Sequence, residues 1–322
     1  MMKYVLTILI RTTIVVFLIL GNRLIKRTRS RMRLEDIAES TIIDKGWSSD
    51  IKFLIKDKSG KKYILRLSSI DKRNEKEKEY EIITLFSSLP FPTSTPVDSG
   101  ITEDGKYFYM ILNWVEGEDL EKVLPSLSED EQYKKGKEAG HILSLIHSIP
   151  LRECDIPTST KKEKKLRQLK AYKESSVRIK GDDVVIEYLL DHIDDIWVEE
   201  PVYLHGDFHP GNLIYTNEGR IGVIDYNRWE VGDIYEEFYK GECFGVESSV
   251  PFVRGMIDSY YNYSVPDSFW RAFAFYSLHA ALYSIKWAEK FGEEEVESMK
   301  KRGTRIISDF KDLSSCVPSW YK

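Results

Sequence analysis

The sequence predicts an α+β protein of two lobes, a small antiparallel β-sheet lobe followed by a larger, mostly helical lobe. Apolar and polar residues alternate in short runs between residues 41 and 115, and turn residues separate these runs. From residue 117 onward the apolar residues recur mostly at helical spacing. The length of 322 residues exceeds what one compact core usually needs and suits two lobes that share a cleft.

The first lobe contains two predicted hairpins with one helix between them. Residues 50–55 and 63–67 alternate in polarity around a Lys-Ser-Gly turn, which indicates a hairpin. Residues 72–89 have helical spacing, and the two prolines that follow end the helix. Residues 96–100 and 107–115 form the second predicted hairpin around an Asp-Gly turn.

The second lobe begins with a clear helix signal. Ser128 and Glu131 have the spacing of a capping box, which predicts a helix that runs to about Ile149. Residues 202–225 have the pattern of a strand, a loop, a strand, a turn and a third strand. The remaining sequence is mostly helical in pattern.

The amino-terminal segment, residues 1–31, has an apolar and then a basic composition. The apolar run 4–20 barely reaches the length that spans a bilayer, and Arg11 within it costs about 2.5–3.5 kcal/mol at the membrane centre. No small-residue cleavage site follows, so a signal peptide is not expected. The segment is either a membrane anchor with a basic cytoplasmic flank or an extension upstream of a true start at Met32. Both interpretations place the remaining chain in the cytoplasm.

Composition limits the class of protein. Hydrophobic residues make up 42% of the chain and charged residues 31%, which is typical of a globular enzyme. The formal net charge of −5 argues against a nucleic-acid partner, because phosphate contacts need a basic surface. The three cysteines are scattered, so neither a disulfide framework nor a cysteine metal site is expected.

One ordered set of polar residues predicts an active site. A predicted strand leads into His205-Gly206-Asp207, Asn212 follows five positions after Asp207, and a later apolar strand ends at Asp225. Because a tight turn joins the two later strands, these side chains are expected to converge. Carboxylate and amide oxygens suit Mg²⁺, and one carboxylate remains to receive a hydroxyl proton. A lone H-G-D triplet is common by chance, whereas the ordered set is restrictive.

This set resembles the H-G-D-x-x-x-x-N and I-D signatures of the aminoglycoside phosphotransferase and choline-kinase-like family. The resemblance extends over about residues 41–322 and implies a protein-kinase-like fold. It implies that Asp207 is the catalytic base or the group that orients the acceptor hydroxyl, and that Asn212 and Asp225 bind Mg²⁺. Protein kinases have H-R-D here, so Gly206 favours a kinase of small molecules.

The resemblance also implies residues that contact the nucleotide. Arg66 stands where the family often has a lysine that grips phosphate, and it retains the positive charge. Its expected partner on the following helix is Glu79, with Glu77 as the alternative. The residues expected to contact phosphates from the preceding loop, or adenine from the hinge, are Ser48, Ser49, Trp114 and Val115.

Acidic residues after Asp225 suggest a cationic acceptor. Asp233, Glu236 and Glu237 are candidate acceptor contacts, although Arg228 and Asp233 are also candidates for a structural ion pair. The run 293–295 is acidic as well and is typical of a solvated helix start. Acidic groups in a cleft would concentrate a cationic substrate.

The resemblance therefore implies a small-molecule kinase that moves the γ-phosphate of ATP or GTP to a hydroxyl, with residues 32–116 as the nucleotide-binding lobe and 117–322 as the catalytic and acceptor-binding lobe. An aminoglycoside-type antibiotic is the first hypothesis for the acceptor. A metabolic kinase for choline, homoserine or a sugar stays open. A non-catalytic nucleotide-binding regulator also stays open, but the presence of all three site residues disfavours it.

Overall fold

A computed structural model describes residues 37–43, 49–102, 104–311 and 313–321. The apolar segment 4–20 and the possible start at Met32 lie outside these residues. The chain divides into two compact units, the first ending at Val115 and the second beginning at Glu116. Among the residues that the structure describes, no helix is long and apolar enough to cross a membrane.

The first unit is an antiparallel sheet with one main helix. The sheet has the order β1-β2-β3-β5-β4. Its strands are β1 (Ile37–Ile43), β2 (Ile51–Asp57), β3 (Lys62–Ser69), β4 (Pro96–Ile101) and β5 (Tyr107–Asn113). The helix α1 (Arg73–Phe86) packs against β4 and β5.

The strands of the first unit alternate as the sequence pattern requires. One face buries a cluster of apolar side chains that includes Phe53, Ile55, Tyr63, Leu65 and Ile111. Because side chains alternate along a strand, Arg66 lies on the opposite face of β3 from Leu65. Both predicted hairpins and the helix between them are present, whereas most of β1 lies before the residues where strand structure was expected.

The second unit combines short strands with a helical body. Its strands are β6 (Gly117–Asp119), β7 (Val202–Leu204), β8 (Leu213–Thr216), β9 (Ile221–Val223) and β10 (Glu230–Gly232). Its helices are α2 (Leu120–Val123), α3 (Glu129–His147), α4 (Lys162–Lys173), α5 (Asp183–Asp191), α6 (Val246–Ser248), α7 (Val250–Tyr260), α8 (Asp267–Ala288) and α9 (Glu293–Asp309).

Close helix packing holds the body of the second unit together. Helix α3 begins with the predicted capping box, in which Ser128 and Glu131 satisfy each other's backbone N–H groups. A Cβ atom at Gly140 would lie 2.2 Å from the Met256 carbonyl oxygen of α7, so only glycine allows the two helices to approach this closely. Helix α8 is buried along most of its length and contacts α9.

Candidate active site

Two pairs of antiparallel strands frame the predicted catalytic segment. Strand β7 leads into the loop that carries Asp207, and a short 3₁₀-helix, Pro210–Asn212, leads into β8. Strands β8 and β9 form a hairpin, and β10 returns to pair antiparallel with β7. The loop after β7 and the segment after β9 are therefore held at one end of these strands.

Backbone and amide hydrogen bonds bring Asn212 beside both aspartates. The Asn212 amide Nδ2 donates to the Asp207 carbonyl oxygen at 2.9 Å. The backbone N–H of Ile224 donates to the Asn212 carbonyl oxygen at 3.1 Å, which places Asp225 directly after this contact. Asp225 has φ 64° and ψ 65°, a left-handed conformation that non-glycine residues seldom adopt outside functional or turn positions.

Cationic groups surround the Asp207 carboxylate. The Lys240 ammonium lies 2.7 Å from Oδ1, and the Arg228 Nε lies 3.7 Å from Oδ2. Burial alone would raise the pKa of Asp207, but the positive charge of Lys240, with smaller contributions from His209 and Arg228, lowers it to about 2. Asp207 is therefore ionised throughout the neutral range.

The two histidines of the loop form hydrogen bonds with backbone groups. Buried His205 accepts a hydrogen bond from the Asp207 N–H at Nδ1, and its Nε2 lies 3.0 Å from the Ile224 carbonyl oxygen. His209 accepts from the Gly211 N–H at Nδ1 and so caps the 3₁₀-helix. Burial lowers the pKa of His209 to about 4, so this side chain is neutral at pH 7.

Gly206 gives a physical reason for H-G-D rather than H-R-D. Its φ is 77°, and a Cβ atom there would lie 2.0 Å from the Arg228 carbonyl oxygen. Any side chain at this position would force the loop away from the segment that follows Asp225.

The three acids that were predicted to contact the acceptor are instead bonded within the protein. Glu237 is buried and accepts from the backbone N–H groups of His205 and Gly206, at 2.6 and 3.0 Å. Glu236 pairs with Lys165. Burial alone would raise the pKa of Glu237, but hydrogen bonds and the nearby histidines lower it. These contacts indicate that Glu236 and Glu237 position the protein's own segments.

Asp233 also has a structural environment, and its expected pairing with Arg228 is wrong. Its carboxylate is fully buried and accepts from the Trp197 N–H and the Tyr276 hydroxyl, both at 2.7 Å. Burial raises its pKa. Arg228 lies beside Asp207 instead. The acidic run 293–295 occupies the first turn of α9, where carboxylates favour the helix dipole.

In the first unit, Arg66 lies in a buried cluster of four charged side chains. Its guanidinium contacts Glu79 at 2.5 Å and Asp50 at 2.6 Å. Lys76 contacts the same two carboxylates, at 2.8 and 3.1 Å. Glu77 pairs with Arg73 on the surface. Sequence reasoning missed Asp50 and Lys76, although Lys76 precedes Glu79 by three residues, the spacing of neighbours on one helix face.

The structure describes three of the four other predicted nucleotide contacts. The exposed Ser49 hydroxyl accepts from the Lys72 ammonium at 2.8 Å. Ser48 lies outside the described residues. Trp114 donates its backbone N–H to Lys62, and Val115 ends the first unit.

Asn212 and Asp225 fit a hard divalent cation by the chemistry of their donor atoms. The Asn212 amide nitrogen is used by the Asp207 carbonyl, which leaves the amide oxygen as the coordinating atom. Mg²⁺ commonly takes one or two protein oxygens and completes its shell with water and phosphate. Within the described parts of the chain, no cluster of three or more His, Cys, Asp or Glu side chains could hold a metal ion.

Comparison with known families identifies the chain. The model of the phosphotransferase enzyme family matches residues 39–265, well over half of the sequence. The chain belongs to the phosphotransferase enzyme family. The match spans the cluster around Arg66 and all of the segment from His205 to Asp233.

Individual relatives of this phosphotransferase agree with the family. An aminoglycoside 3'-phosphotransferase from Niallia circulans is 27% identical over 212 residues, which cover 62% of this chain and 76% of the relative. The structure of wild-type aminoglycoside 2'-phosphotransferase-IIIa with GDP is similar, with a TM-score of 0.65, 14% identity, and coverage of 84% of this chain and 93% of that chain.

Amicoumacin kinase hAmiN, solved with AMP-PNP, Ca²⁺ and Ami, has a TM-score of 0.61 and 14% identity and covers 90% of this chain and 92% of that chain. At these identities the solved structures show a common fold. The predicted family, the α+β kinase-like fold class and the prediction of a small-molecule phosphotransferase are confirmed.

Proposed function

We propose that this phosphotransferase moves the γ-phosphate of ATP or GTP to a hydroxyl of a small molecule, and that Asp207 is the catalytic residue. The observation that supports this most strongly is the hydrogen-bonded arrangement of Asp207, Asn212 and the end of β9 before Asp225. It joins all three residues of the H-G-D, Asn and I-D signatures in one small region.

In the proposed reaction the acceptor oxygen attacks the γ-phosphorus, and the bond between that phosphorus and the β–γ bridging oxygen breaks. Asp207 accepts a hydrogen bond from the attacking hydroxyl and takes its proton as the new oxygen–phosphorus bond forms. A loose transition state requires little prior deprotonation, so a weakly basic carboxylate is sufficient. The main contribution of Asp207 is then to orient the hydroxyl.

Asn212 and Asp225 are the residues that would hold Mg²⁺. When bound, Mg²⁺ would neutralise charge that develops on the phosphate oxygens. Two hydrogen bonds keep these two residues in place. The Asn212 side-chain amide donates to the Asp207 carbonyl oxygen, and the Ile224 N–H donates to the Asn212 carbonyl oxygen.

The nucleotide contacts are proposed to include Arg66. Glu79 and Asp50 hold its guanidinium, whose positive charge would attract the nucleotide phosphates. Ser48, Ser49, Trp114 and Val115 remain proposed contacts on the strength of the family resemblance alone. GDP in one similar structure and AMP-PNP in another support a purine nucleotide as co-substrate.

An aminoglycoside-type antibiotic is the proposed acceptor class. Support comes from the relative in Niallia circulans and from the similar structures. Asp233, Glu236 and Glu237 give no support, because their side chains are buried and bond to other residues of the protein. The acceptor must therefore be recognised by other residues of this chain.

Mass spectrometry of the acceptor tests this proposal. The purified enzyme is incubated with Mg²⁺ and either ATP or GTP, and with a panel of aminoglycosides, choline, homoserine and methylthioribose. We expect one added phosphate on an aminoglycoside, none in the presence of EDTA, and none with Asp207→Asn. Phosphate on a metabolic acceptor alone would contradict the acceptor class but keep the kinase. Nucleotide binding without any product across a broad panel would favour a regulator.

A further inference from the structure

Lys240 is buried directly against the proposed catalytic carboxylate. Its ammonium lies 2.7 Å from Asp207 Oδ1, and the whole residue is 8% exposed. Among the described residues, no other carboxylate lies within ion-pair distance of Lys240. The ring faces of Tyr239 and Phe244 lie 5.2 and 5.3 Å from the ammonium and favour its charged form.

The segment that carries Lys240 is held on both sides. Three residues earlier, Glu237 accepts from the backbone of the loop that contains Asp207. Two residues later, Glu242 accepts from Arg305 of α9 and from the Trp320 indole N–H, each at 2.7 Å. Lys240 immediately precedes a π-helical turn, Gly241–Gly245, a rare geometry that is frequent at functional sites.

The neighbouring cation cannot fix the carboxylate in the same way. The Arg228 side chain is 48% exposed, and its Nε lies 3.7 Å from Asp207 Oδ2, beyond hydrogen-bond length. His209 is still more distant, at 3.9 Å from Oδ1. Lys240 therefore engages Oδ1, whereas no cation of the described residues lies within hydrogen-bond distance of Oδ2.

We propose that Lys240 is a positioning residue for phosphoryl transfer, because its ammonium fixes Oδ1 of Asp207 and leaves Oδ2 to orient the acceptor hydroxyl. The inference rests on the proposed function of Asp207. Catalytic groups must be held close to the productive geometry, and a displacement of about 1 Å can reduce the rate by about 10²-fold. A flexible or absent anchor at Oδ1 would allow the carboxylate to rotate.

The test compares Lys240→Met, which removes the charge, with Lys240→Arg, which keeps it. We expect Lys240→Met to lower kcat by about 10²-fold while the KM for the nucleotide stays within about twofold, because only the attacking hydroxyl is misplaced. Lys240→Arg should recover part of the loss. Lys165→Met is the matched control, since it removes a buried ammonium from Glu236, and its kcat per folded molecule should stay within about threefold of the wild type.

A double-mutant cycle with Asp207→Asn separates positioning from a general structural effect. If Lys240 acts through Asp207, Lys240→Met lowers kcat no further in the Asp207→Asn background, and the shifts in thermal midpoint are also non-additive. Unchanged kcat in Lys240→Met, or losses that simply multiply, would overturn the inference. If Lys240→Met does not fold, Lys240→Gln, which keeps a donor, replaces it.

Failure of the proposed function has a different signature. In that case the wild-type enzyme forms no phosphorylated product, and Lys240 has no transfer reaction to serve. A wild type that phosphorylates an acceptor, an inactive Asp207→Asn variant and a fully active Lys240→Met variant would together reject only the role of Lys240.

Discussion

Each unit of the protein buries a cluster of opposite charges, and the two clusters differ in balance and in exposure. In the first unit two carboxylates, Asp50 and Glu79, meet two cations, Arg66 and Lys76. The Arg66 and Asp50 side chains are only 4% and 1% exposed. In the second unit the single carboxylate of Asp207 faces Lys240 and Arg228 and keeps 19% of its side-chain surface.

We interpret the first cluster as one that holds structure and the second as the proposed catalytic site. A balanced and enclosed cluster satisfies its own charges and mainly fixes the geometry of the strand and helix that carry it. A carboxylate held by one oxygen, with its other oxygen less tightly engaged, can still receive a ligand. We therefore expect changes in the first cluster to affect stability and nucleotide binding, and changes in the second to affect turnover.

After substitution of Asp207 itself, we expect substitution of Asp225 to reduce turnover most. Asp225→Ala should abolish productive binding of the metal–nucleotide complex and lower turnover by about 10²-fold or more, because the proposed Mg²⁺ site would lose its carboxylate. Isothermal titration with Mg²⁺ and a non-hydrolysable ATP analogue measures the effect. An unchanged affinity with an unchanged dependence on Mg²⁺ would contradict the assignment.

Gly206→Ala should disrupt the second cluster through the backbone. The added methyl group would collide with the Arg228 carbonyl oxygen, so the loop must move and the free energy of unfolding should fall by about 2–4 kcal/mol. Denaturant unfolding gives the value, and Gly60→Ala is the control. Gly60 also has positive φ, but a Cβ atom there meets no neighbour. Equal losses in both variants would show that the close approach at Gly206 is unimportant.

Glu79→Gln tests the first cluster. The change removes one charge that holds Arg66, so we expect the KM for the nucleotide to rise by about tenfold with a smaller change in kcat. Glu77→Gln, which affects only the surface pair with Arg73, should leave both values unchanged. A large fall in kcat with an unchanged nucleotide KM for Glu79→Gln would contradict the claim that the first cluster affects nucleotide binding and not turnover.

We expect the Asp50 carboxylate to make a small, pH-dependent contribution to the free energy of unfolding at acid pH. Burial alone would raise the pKa of Asp50, but the charges of Arg66 and Lys76 lower it from 3.8 to about 2. A carboxyl whose folded-state pKa is lowered stabilises the protein above the unfolded pKa, and this stabilisation disappears as the pH falls through the folded value. The difference in free energy of unfolding between wild type and Asp50→Asn should therefore shrink by about 2 kcal/mol between pH 4 and pH 2. A pH-independent difference would contradict the ion-pair account.

The sequence predicted the elements whose determinants are local. The capping box of Ser128 and Glu131 and the alternation of β2 and β3 depend on neighbouring residues, and the structure contains both. The spacing of Asp207, Asn212 and Asp225 was informative because one short hairpin connects them. Strands β6 and β10 were missed, since each consists largely of glycine and acidic residues, which are depleted in strands.

Residues that reach the site from distant segments could not be read from the sequence. Lys240 follows Asp207 by 33 positions, and no local sequence pattern marks it. It contacts Asp207 because of the way the segment after β10 packs. The acids Asp233, Glu236 and Glu237 were assigned to an acceptor on charge alone. Burial decides their role, and burial depends on tertiary packing that a charge pattern does not reveal.

The single-turnover rate of Asp207→Asn tests the central claim most directly. Enzyme in excess is mixed with radiolabelled ATP or GTP, Mg²⁺ and the best acceptor, and transfer of the label is followed with time. We predict a rate reduced by about 10²-fold or more, with an unchanged thermal midpoint to within a few degrees and an unchanged nucleotide affinity. A folded Asp207→Asn enzyme that keeps more than about a tenth of the wild-type rate would contradict the catalytic role of Asp207.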